Sequence, residues 1–116
     1  KVSAVDVPVL VDPELMEHVL INLVLNAIDA VSDTLNGVIE IHTFVDEKGT
    51  VYVSVRDNGE GMDEATADKI FIPFFTTRKN GSGIGLALTK QILQLHHADI
   101  HFTTAKGIGT EFVINL

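Results

Sequence analysis

Apolar residues between positions 13 and 31 recur at the spacing of an α-helix. They are Leu15, Met16, Val19, Leu20, Leu23, Val24 and Ala27. This pattern predicts one long helix with a stripe facing a core. Asp12 followed by Pro13 predicts its start, because aspartate caps free N–H groups and proline fits the first helical position. Asn36-Gly37 predicts the turn that ends the segment.

Two later stretches alternate apolar and polar residues, as strands do. Residues 38–45 and 50–57 read as strands joined by a turn over 46–49, and residues 100–104 and 110–116 as a closing hairpin. A short helix at 63–69 and a helix at 84–96 complete the order. We therefore predict a single domain over 1–116, an α+β two-layer sandwich with a mixed sheet covered on one face by helices.

Composition removes several functional classes. The 116 residues contain no cysteine, which excludes disulfide frameworks, thiolate metal sites and cysteine nucleophiles. The formal net charge of -8 argues against a nucleic-acid or anionic-membrane binder, because those partners favour a basic surface. No apolar run approaches the roughly 20 residues of a membrane span. We expect no nucleic-acid partner and no direct membrane contact.

Four polar residues follow one side of the long helix. His18, Asn22, Asn26 and Asp29 are spaced by four, four and three residues. Two asparagines among aliphatic neighbours need hydrogen-bond or metal partners if they are buried. A solvated helix face is the alternative. His18 is expected at the rim, and none of the five histidines has the spacing of a zinc site.

The loop Asp57-Asn58-Gly59-Glu60-Gly61 directly follows an apolar strand. A carboxylate at a strand end can accept a hydrogen bond from an exocyclic amine, and the glycines would let a flat ring approach the backbone. An ordinary Asp-Gly turn is the alternative.

Glycines also precede the last helix, in Gly81-Ser82-Gly83-Ile84-Gly85-Leu86. Backbone N–H groups at a helix N-terminus suit a phosphate. The segment lacks the Lys-Ser/Thr ending of a P-loop, and no strand leads straight into it.

These motifs together resemble the N, G1, F, G2 and G3 boxes of the catalytic ATP-binding domain of bacterial sensor histidine kinases. That domain is part of the Bergerat-fold superfamily, with gyrase, Hsp90 and MutL. The motifs, in order, are Asn22–Asn26, Asp57–Gly61, Phe71–Phe75, Gly81–Leu86 and Gly107–Phe112.

The resemblance implies a role for each motif. Asp57 would bind the adenine amino group, with Gly61 and Thr110 helping directly or through water and Gly59 in the same box. Asn26 would coordinate Mg2+, with Asn22 beside it. Backbone amides of the Gly81–Leu86 box would bind phosphates, at Gly81, Gly83, Gly85 and Leu86. Phe71 and Phe74 would anchor a lid from about Thr76 to Ser82, in which Arg78 and Lys79 are candidates for the γ-phosphate, solvated lid charges being the alternative.

One position bears on the reaction. Related ATPases and Ser kinases resemble each other in placing a glutamate four residues before the metal asparagine, where this chain has Asn22. A neutral amide cannot act as a general base. The resemblance thus favours phosphoryl transfer to histidine. A Bergerat-fold ATPase or Ser kinase and a degenerate, non-catalytic interaction module are the alternatives.

The resemblance also implies partners. The acceptor histidine is expected on a separate dimerisation domain of the same kinase, with a response regulator downstream. Dimerisation is expected through that domain, so the catalytic domain alone would be a monomer. A cytoplasmic location is expected for this domain, and a parent protein in the inner membrane is compatible with it.

Overall fold

The computed structural model describes residues 1–4, 6–76 and 85–116. Two helices pack on one face of a five-stranded sheet. The elements are β1 (Val2–Ser3), α1 (Pro13–Ala30), β2 (Ile39–Val45), β3 (Val51–Asp57), α2 (Glu64–Ala67), α3 (Gly85–Leu95), β4 (Asp99–Ala105) and β5 (Gly109–Asn115). The strand order is β1-β2-β3-β5-β4. The predicted α+β two-layer sandwich is confirmed.

Helix α1 begins where the sequence predicts. The Asp12 side chain accepts a hydrogen bond from the Leu15 backbone N–H at 3.1 Å, and Pro13 occupies the first turn. Such a cap is worth about 1 kcal/mol of stability. The helix ends at Ala30, and Asn36 takes a φ of 58° in the turn that follows. The chain then enters β2 from the C-terminal end of α1.

The sheet is mixed because its first strand runs parallel to its neighbour. Val2 and Ser3 pair with Ile41 and His42 in parallel, whereas the other pairings are antiparallel. The sequence pattern did not indicate this two-residue strand. The other predicted strands and helices are present, and their bounds differ from the predicted ones by at most two residues.

The core lies between the sheet and the helices. Helix α1 contributes Val19 and Leu23, α3 contributes Leu93, and β5 contributes Ile114, each at most 1% exposed. Contacts join α1 with α3 and both helices with the sheet. The C-terminal end of α1 lies beside the loop that follows β3, where Ala30 meets Gly59, and the N-terminal end of α3 lies against Asn22 of α1. Within the described residues, no helix combines the length and apolar character that a bilayer crossing requires.

Candidate functional site

A buried carboxylate marks the end of the central strand β3. Asp57 is 7% exposed and pairs with Thr110 across β3 and β5. Its Oδ1 accepts a hydrogen bond from the Gly59 backbone N–H at 2.9 Å, and the Thr110 backbone N–H also donates to the carboxylate. Burial raises the pKa of Asp57, and these two hydrogen bonds oppose the rise. The carboxylate keeps acceptor capacity for a further donor, such as an amine.

Three glycines let separate elements pack closely around the Asp57 loop. A Cβ on Gly59 would lie 2.3 Å from the Ala30 carbonyl oxygen at the end of α1. A Cβ on Gly61 would lie 2.0 Å from the Ala105 carbonyl oxygen, and a Cβ on Gly109 would lie 2.1 Å from the Asp57 carbonyl oxygen. We expected Gly59 and Gly61 to let a flat ring approach. In the structure their bare α-carbons let the chain pack against itself.

Asn58 fixes the loop from the other side. Its Oδ1 accepts a hydrogen bond from the Val38 backbone N–H at 2.7 Å, and its Nδ2 donates to the Asn36 carbonyl at 3.1 Å. Asn58 therefore ties the residue after Asp57 to the turn between α1 and β2. Its place beside Asp57 was visible in the sequence, but its partners are about 20 residues away and no local pattern identifies them.

A row of polar side chains continues from Asp57 across the sheet. Thr110 pairs with Asp57 on one side and with Thr104 of β4 on the other. The Thr104 and Thr110 hydroxyl oxygens are 2.9 Å apart, and Thr104 Oγ1 accepts a hydrogen bond from the Met62 backbone N–H at 2.9 Å. Sequence reasoning missed Thr104. The hairpin register places it beside Thr110 and is the signal that could have found it.

Asn22 connects the two long helices. Its Nδ2 lies 3.4 Å from the Gly85 carbonyl oxygen and 3.3 Å from Thr89 Oγ1. Thr89 is fully buried, so the amide satisfies a hydroxyl inside the helix pair. The amide nitrogen of Asn22 thus holds α1 against the N-terminal turn of α3, and its oxygen, which makes no hydrogen bond to the described residues, could contact a ligand.

Asn26 lies one helical turn further along α1. Its Nδ2 is buried and has no hydrogen-bond partner in the described structure. An unpaired buried N–H group costs about 1–3 kcal/mol, which a ligand oxygen accepting from it would relieve. Asn26 precedes Ala30 by one turn, and Ala30 contacts Gly59. The structure therefore brings Asn26 and the Asp57 loop to the same end of the molecule.

An asparagine side chain suits a magnesium ion held mainly by phosphates. The amide oxygen is a hard ligand, and Mg2+ bound with a nucleotide uses few protein ligands and several waters. Asn26 would offer its Oδ1 to the ion and its Nδ2 to a phosphate oxygen. Asn26 therefore fits a Mg2+ ion that is bound together with a nucleotide.

The glycine-rich box is described only at its end. Gly85 and Leu86 are the first residues of α3, and Gly85 lies against the Asn22 side chain. The N-terminal N–H groups of an 11-residue helix suit an anion. Gly81 and Gly83 lie outside the described residues, as do Arg78 and Lys79 of the predicted lid.

The two predicted lid anchors differ in their surroundings. Phe71 is half-buried, edge-on to Phe102 with ring centroids 5.9 Å apart, and Lys90 Nζ lies 4.9 Å from its ring centroid. Phe74 is 74% exposed and has a φ of 69°. Phe71 is thus packed onto the sheet, whereas Phe74 projects from the chain just before the residues left undescribed.

An open depression of about 350 Å3 borders the ends of β3, β4 and β5. Asp57 and Thr110 line it, but so do Arg56 and Glu111, whose side chains alternate to the opposite face of the sheet. The depression therefore wraps the end of the sheet, and the asparagines of α1 are not in its lining. Contacts around Asp57, more than this depression, define the candidate site.

Comparison with known families decides the assignment. Residues 11–116 match the family described as histidine kinase-, DNA gyrase B- and HSP90-like ATPases. The chain belongs to this family. Its members are ATPases by that description, so ATP binding follows from membership. The family predicted from the five motifs is confirmed.

The relatives that resemble this chain are histidine kinases. The signal transduction histidine-protein kinase AtoS of Escherichia coli (strain K12) is 39% identical over 94% of this chain and 18% of its own length. The sensor histidine kinase ZraS of the same strain is 38% identical over 89% of this chain and 22% of its own length. The chain thus spans about a fifth of the length of these relatives.

The fold agrees with a solved member of the family. The nucleotide-free catalytic domain of the histidine kinase ThkA superposes with a TM-score of 0.82 at 34% identity, over 99% of this chain and 74% of that one. This chain is therefore a catalytic domain of the histidine kinase type, within the histidine kinase-, gyrase B- and HSP90-like ATPases. The roles of individual residues stay predictions.

Proposed function

We propose that this domain binds Mg-ATP between the Asp57 loop and α1. It then donates the γ-phosphoryl group to a histidine on a separate dimerisation domain, in two-component signal transduction. The observation that carries the proposal is the buried Asp57 carboxylate, held by two backbone N–H groups with acceptor capacity left over. Burying a carboxylate is costly, and carboxylates whose pKa is perturbed by burial are typical of functional sites.

Recognition of the base would begin at Asp57. Its carboxylate would accept from the adenine amino group, and the Thr110 hydroxyl beside it would complete the contact, directly or through water. Gly59 and Gly61 would contribute by holding the loop, because their α-carbons touch Ala30 and Ala105.

The phosphates would lie towards α1 and α3. Asn26, with Asn22 beside it, would hold the Mg2+ that neutralises phosphate charge when it is bound. Backbone N–H groups of Gly81, Gly83, Gly85 and Leu86 would bind phosphate oxygens. Arg78 and Lys79 stay the predicted γ-phosphate contacts. These neutralising groups would reconcile a ligand of about four negative charges with a chain of net charge -8.

Transfer to histidine is favoured over hydrolysis by Asn22. An amide cannot take a proton from water, and here its nitrogen is directed at Gly85 and Thr89. Phosphoryl transfer depends mostly on positioning and charge neutralisation. An acceptor imidazole brought by another domain needs no base from this site.

The proposal extends to partners and location. The histidine-bearing dimerisation domain would be the direct partner, and a response regulator would receive the phosphoryl group afterwards. Dimerisation would use that domain, leaving the catalytic domain monomeric. Because ATP is supplied in the cytoplasm, we place the domain on the cytoplasmic side, whether or not the parent protein spans the inner membrane.

Nucleotide binding is tested by thermal denaturation. A ligand that binds only the native state at 100 times its Kd adds about 2.7 kcal/mol, which corresponds to roughly 10 °C in Tm for a domain of this size. No shift with Mg-ATP would indicate the non-catalytic interaction module.

The metal assignment is tested with Asn26→Ala. Loss of a supporting residue around a metal typically costs 10–100-fold, so we expect the Mg2+ enhancement of ATP affinity to fall by about tenfold or more. Asn115→Ala is the matched control, because Asn115 Oδ1 is the other buried amide atom without a partner in the described structure. A Mg2+ effect unchanged by Asn26→Ala would move the ion elsewhere, with Asn22 the first residue to test.

The reaction is tested by incubating the domain with γ-labelled Mg-ATP and a separately produced histidine-bearing dimerisation domain. We expect label on the partner that is lost in acid and kept in base, as for phosphohistidine. Steady release of phosphate by the domain alone, without labelled partner, would indicate the ATPase alternative.

A further inference from the structure

The Thr104 hydroxyl joins three parts of the site. It accepts from the Met62 backbone N–H at 2.9 Å, and it lies 2.9 Å from Thr110 Oγ1 and 3.3 Å from the Gly109 carbonyl oxygen. Met62 follows the Asp57 loop, and Gly109 and Thr110 begin β5. One side chain on an edge strand therefore links the loop to the strand next to the buried carboxylate.

Counting hydrogens limits how this junction works. A hydroxyl has one hydrogen, and Met62 already donates to the Thr104 oxygen. The hydrogen of Thr104 can go to Thr110 Oγ1 or to the Gly109 carbonyl. Hydroxyl hydrogen bonds are commonest near 2.7–2.8 Å, so the 2.9 Å contact with Thr110 is favoured over the 3.3 Å contact with Gly109. The hydrogen of Thr110 is then left for another acceptor.

The carboxylate and this hydroxyl form a matched pair. Asp57 and Thr110 are directly paired across β3 and β5, which places their side chains about 5 Å apart on the same face. Asp57 offers an acceptor, and Thr110 offers a donor. Adenine presents the complement, an amino donor next to a ring-nitrogen acceptor.

We infer that Thr104 is a positioning residue for base recognition: by donating to Thr110 Oγ1, it leaves the Thr110 hydroxyl to donate to the adenine ring nitrogen beside the amino group. The inference rests on the proposed binding of adenine at Asp57. It assigns the choice of ring partner to a residue that itself does not touch the nucleotide.

The test uses nucleotides that lack one group each. Calorimetry on the 116-residue chain would compare ADP with purine riboside diphosphate, which lacks the amino group, and with 1-deaza-ADP and 7-deaza-ADP, which each lack one ring nitrogen. We expect one of the deaza analogues to bind about three- to tenfold more weakly than ADP, the range for one neutral hydrogen bond. Equal affinity for ADP and both deaza analogues overturns the inference. Weak binding of purine riboside diphosphate would still support Asp57, and failure to bind ADP at all would refute the proposed function instead.

Three variants then separate positioning from structure. The preference is the ratio of the affinity for ADP to the affinity for the weaker-binding deaza analogue. Thr104→Val should bring this ratio close to one, and Thr104→Ser, which keeps the hydroxyl, should retain the wild-type ratio. Thr103→Val is the matched control, an exposed threonine one residue earlier on the opposite face of β4. If Thr104 acts through Thr110, adding Thr104→Val to Thr110→Val should change the preference no further.

A purely structural role predicts a different result. Thr104→Val would then weaken ADP and the deaza analogues by the same factor, and the preference would stay at the wild-type value, which overturns the inference. If Thr104→Val does not melt cooperatively, Thr104→Ala provides the same comparison without the branched side chain.

Discussion

Replacing Asp57 by asparagine should separate nucleotide binding from folding. The change keeps size and shape, and one amide oxygen can still accept from Gly59 or Thr110. If that oxygen faces the backbone donors, the amide nitrogen faces the adenine amino group and two donors meet. If the amide turns round, its N–H groups meet the backbone N–H groups instead. Either orientation leaves a donor facing a donor in a buried site.

The size of the effect follows from the charge on the lost acceptor. A hydrogen bond to a charged group contributes about 1.5–3 kcal/mol, which corresponds to about 10- to 150-fold in affinity. The donor–donor contact adds to this, so we expect at least about 100-fold weaker ADP binding for Asp57→Asn. The unfolding free energy of the ligand-free protein should not fall in the same way. Burial raises the pKa of Asp57, so the ionised carboxylate destabilises the native state, and the neutral amide removes that cost.

Calorimetry with ADP and thermal denaturation without ligand give the two readouts. Asp46→Asn is the matched control, because Asp46 Oδ1 also accepts from two backbone N–H groups, those of Lys48 and Thr50, at the opposite end of β3. It should leave ADP affinity unchanged. Wild-type ADP affinity in Asp57→Asn would refute the assignment of the base to this carboxylate. A large fall in Tm together with lost binding would mean that Asp57 holds the fold more than the ligand.

Two further predictions concern protons and packing. Because the pKa of Asp57 is raised above 3.8 in the folded protein, ADP affinity should be constant near neutral pH and should fall as the pH drops through that raised pKa. Calorimetry across this pH range checks the prediction, and an affinity that does not change with pH would contradict it. The unfolding free energy of the ligand-free chain should carry the opposite sign, with the contribution of Asp57 present below pH 3.8 and lost as the pH rises through the raised pKa. His96 Nε2 accepts a hydrogen bond from the Asp12 backbone N–H at 3.0 Å, and His96 Nδ1 lies 2.9 Å from the Ile92 carbonyl oxygen. His96→Ala should therefore lower the unfolding free energy by about 1 kcal/mol. Gln94→Ala, on the exposed side of α3, is the control. Equal denaturation midpoints for these two variants would show that the histidine link adds nothing to stability.

Local signals predicted much of the fold. Asp12-Pro13 predicted the start of α1, and Asn36-Gly37 predicted the turn before β2, because caps and turns depend on a few neighbouring residues. The strand at 51–57 followed from its alternation. The N-terminal strand did not, because its two residues are held by pairing with β2 about 40 positions later, which no local period reveals.

The candidate site was predictable in its residues and less so in its contacts. Asp57 and Asn26 were singled out as candidates, and their roles stay predictions, but the sequence did not indicate that Gly59 contacts Ala30 or that Asn22 contacts Thr89. Such contacts join elements distant in the chain. Thr104 was missed for the same reason, since a threonine in a strand is ordinary until its cross-strand partner is known.

The three glycines around Asp57 also limit how the site can change over time. No side chain can be added at Gly59, Gly61 or Gly109 unless the backbone opposite moves, and each backbone belongs to a different element. A new nucleotide preference can therefore not be acquired one residue at a time through these positions. If the base binds at Asp57 as proposed, a changed preference would have to begin at side chains beside the base, because a substitution at one of these glycines would first displace the backbone of the loop.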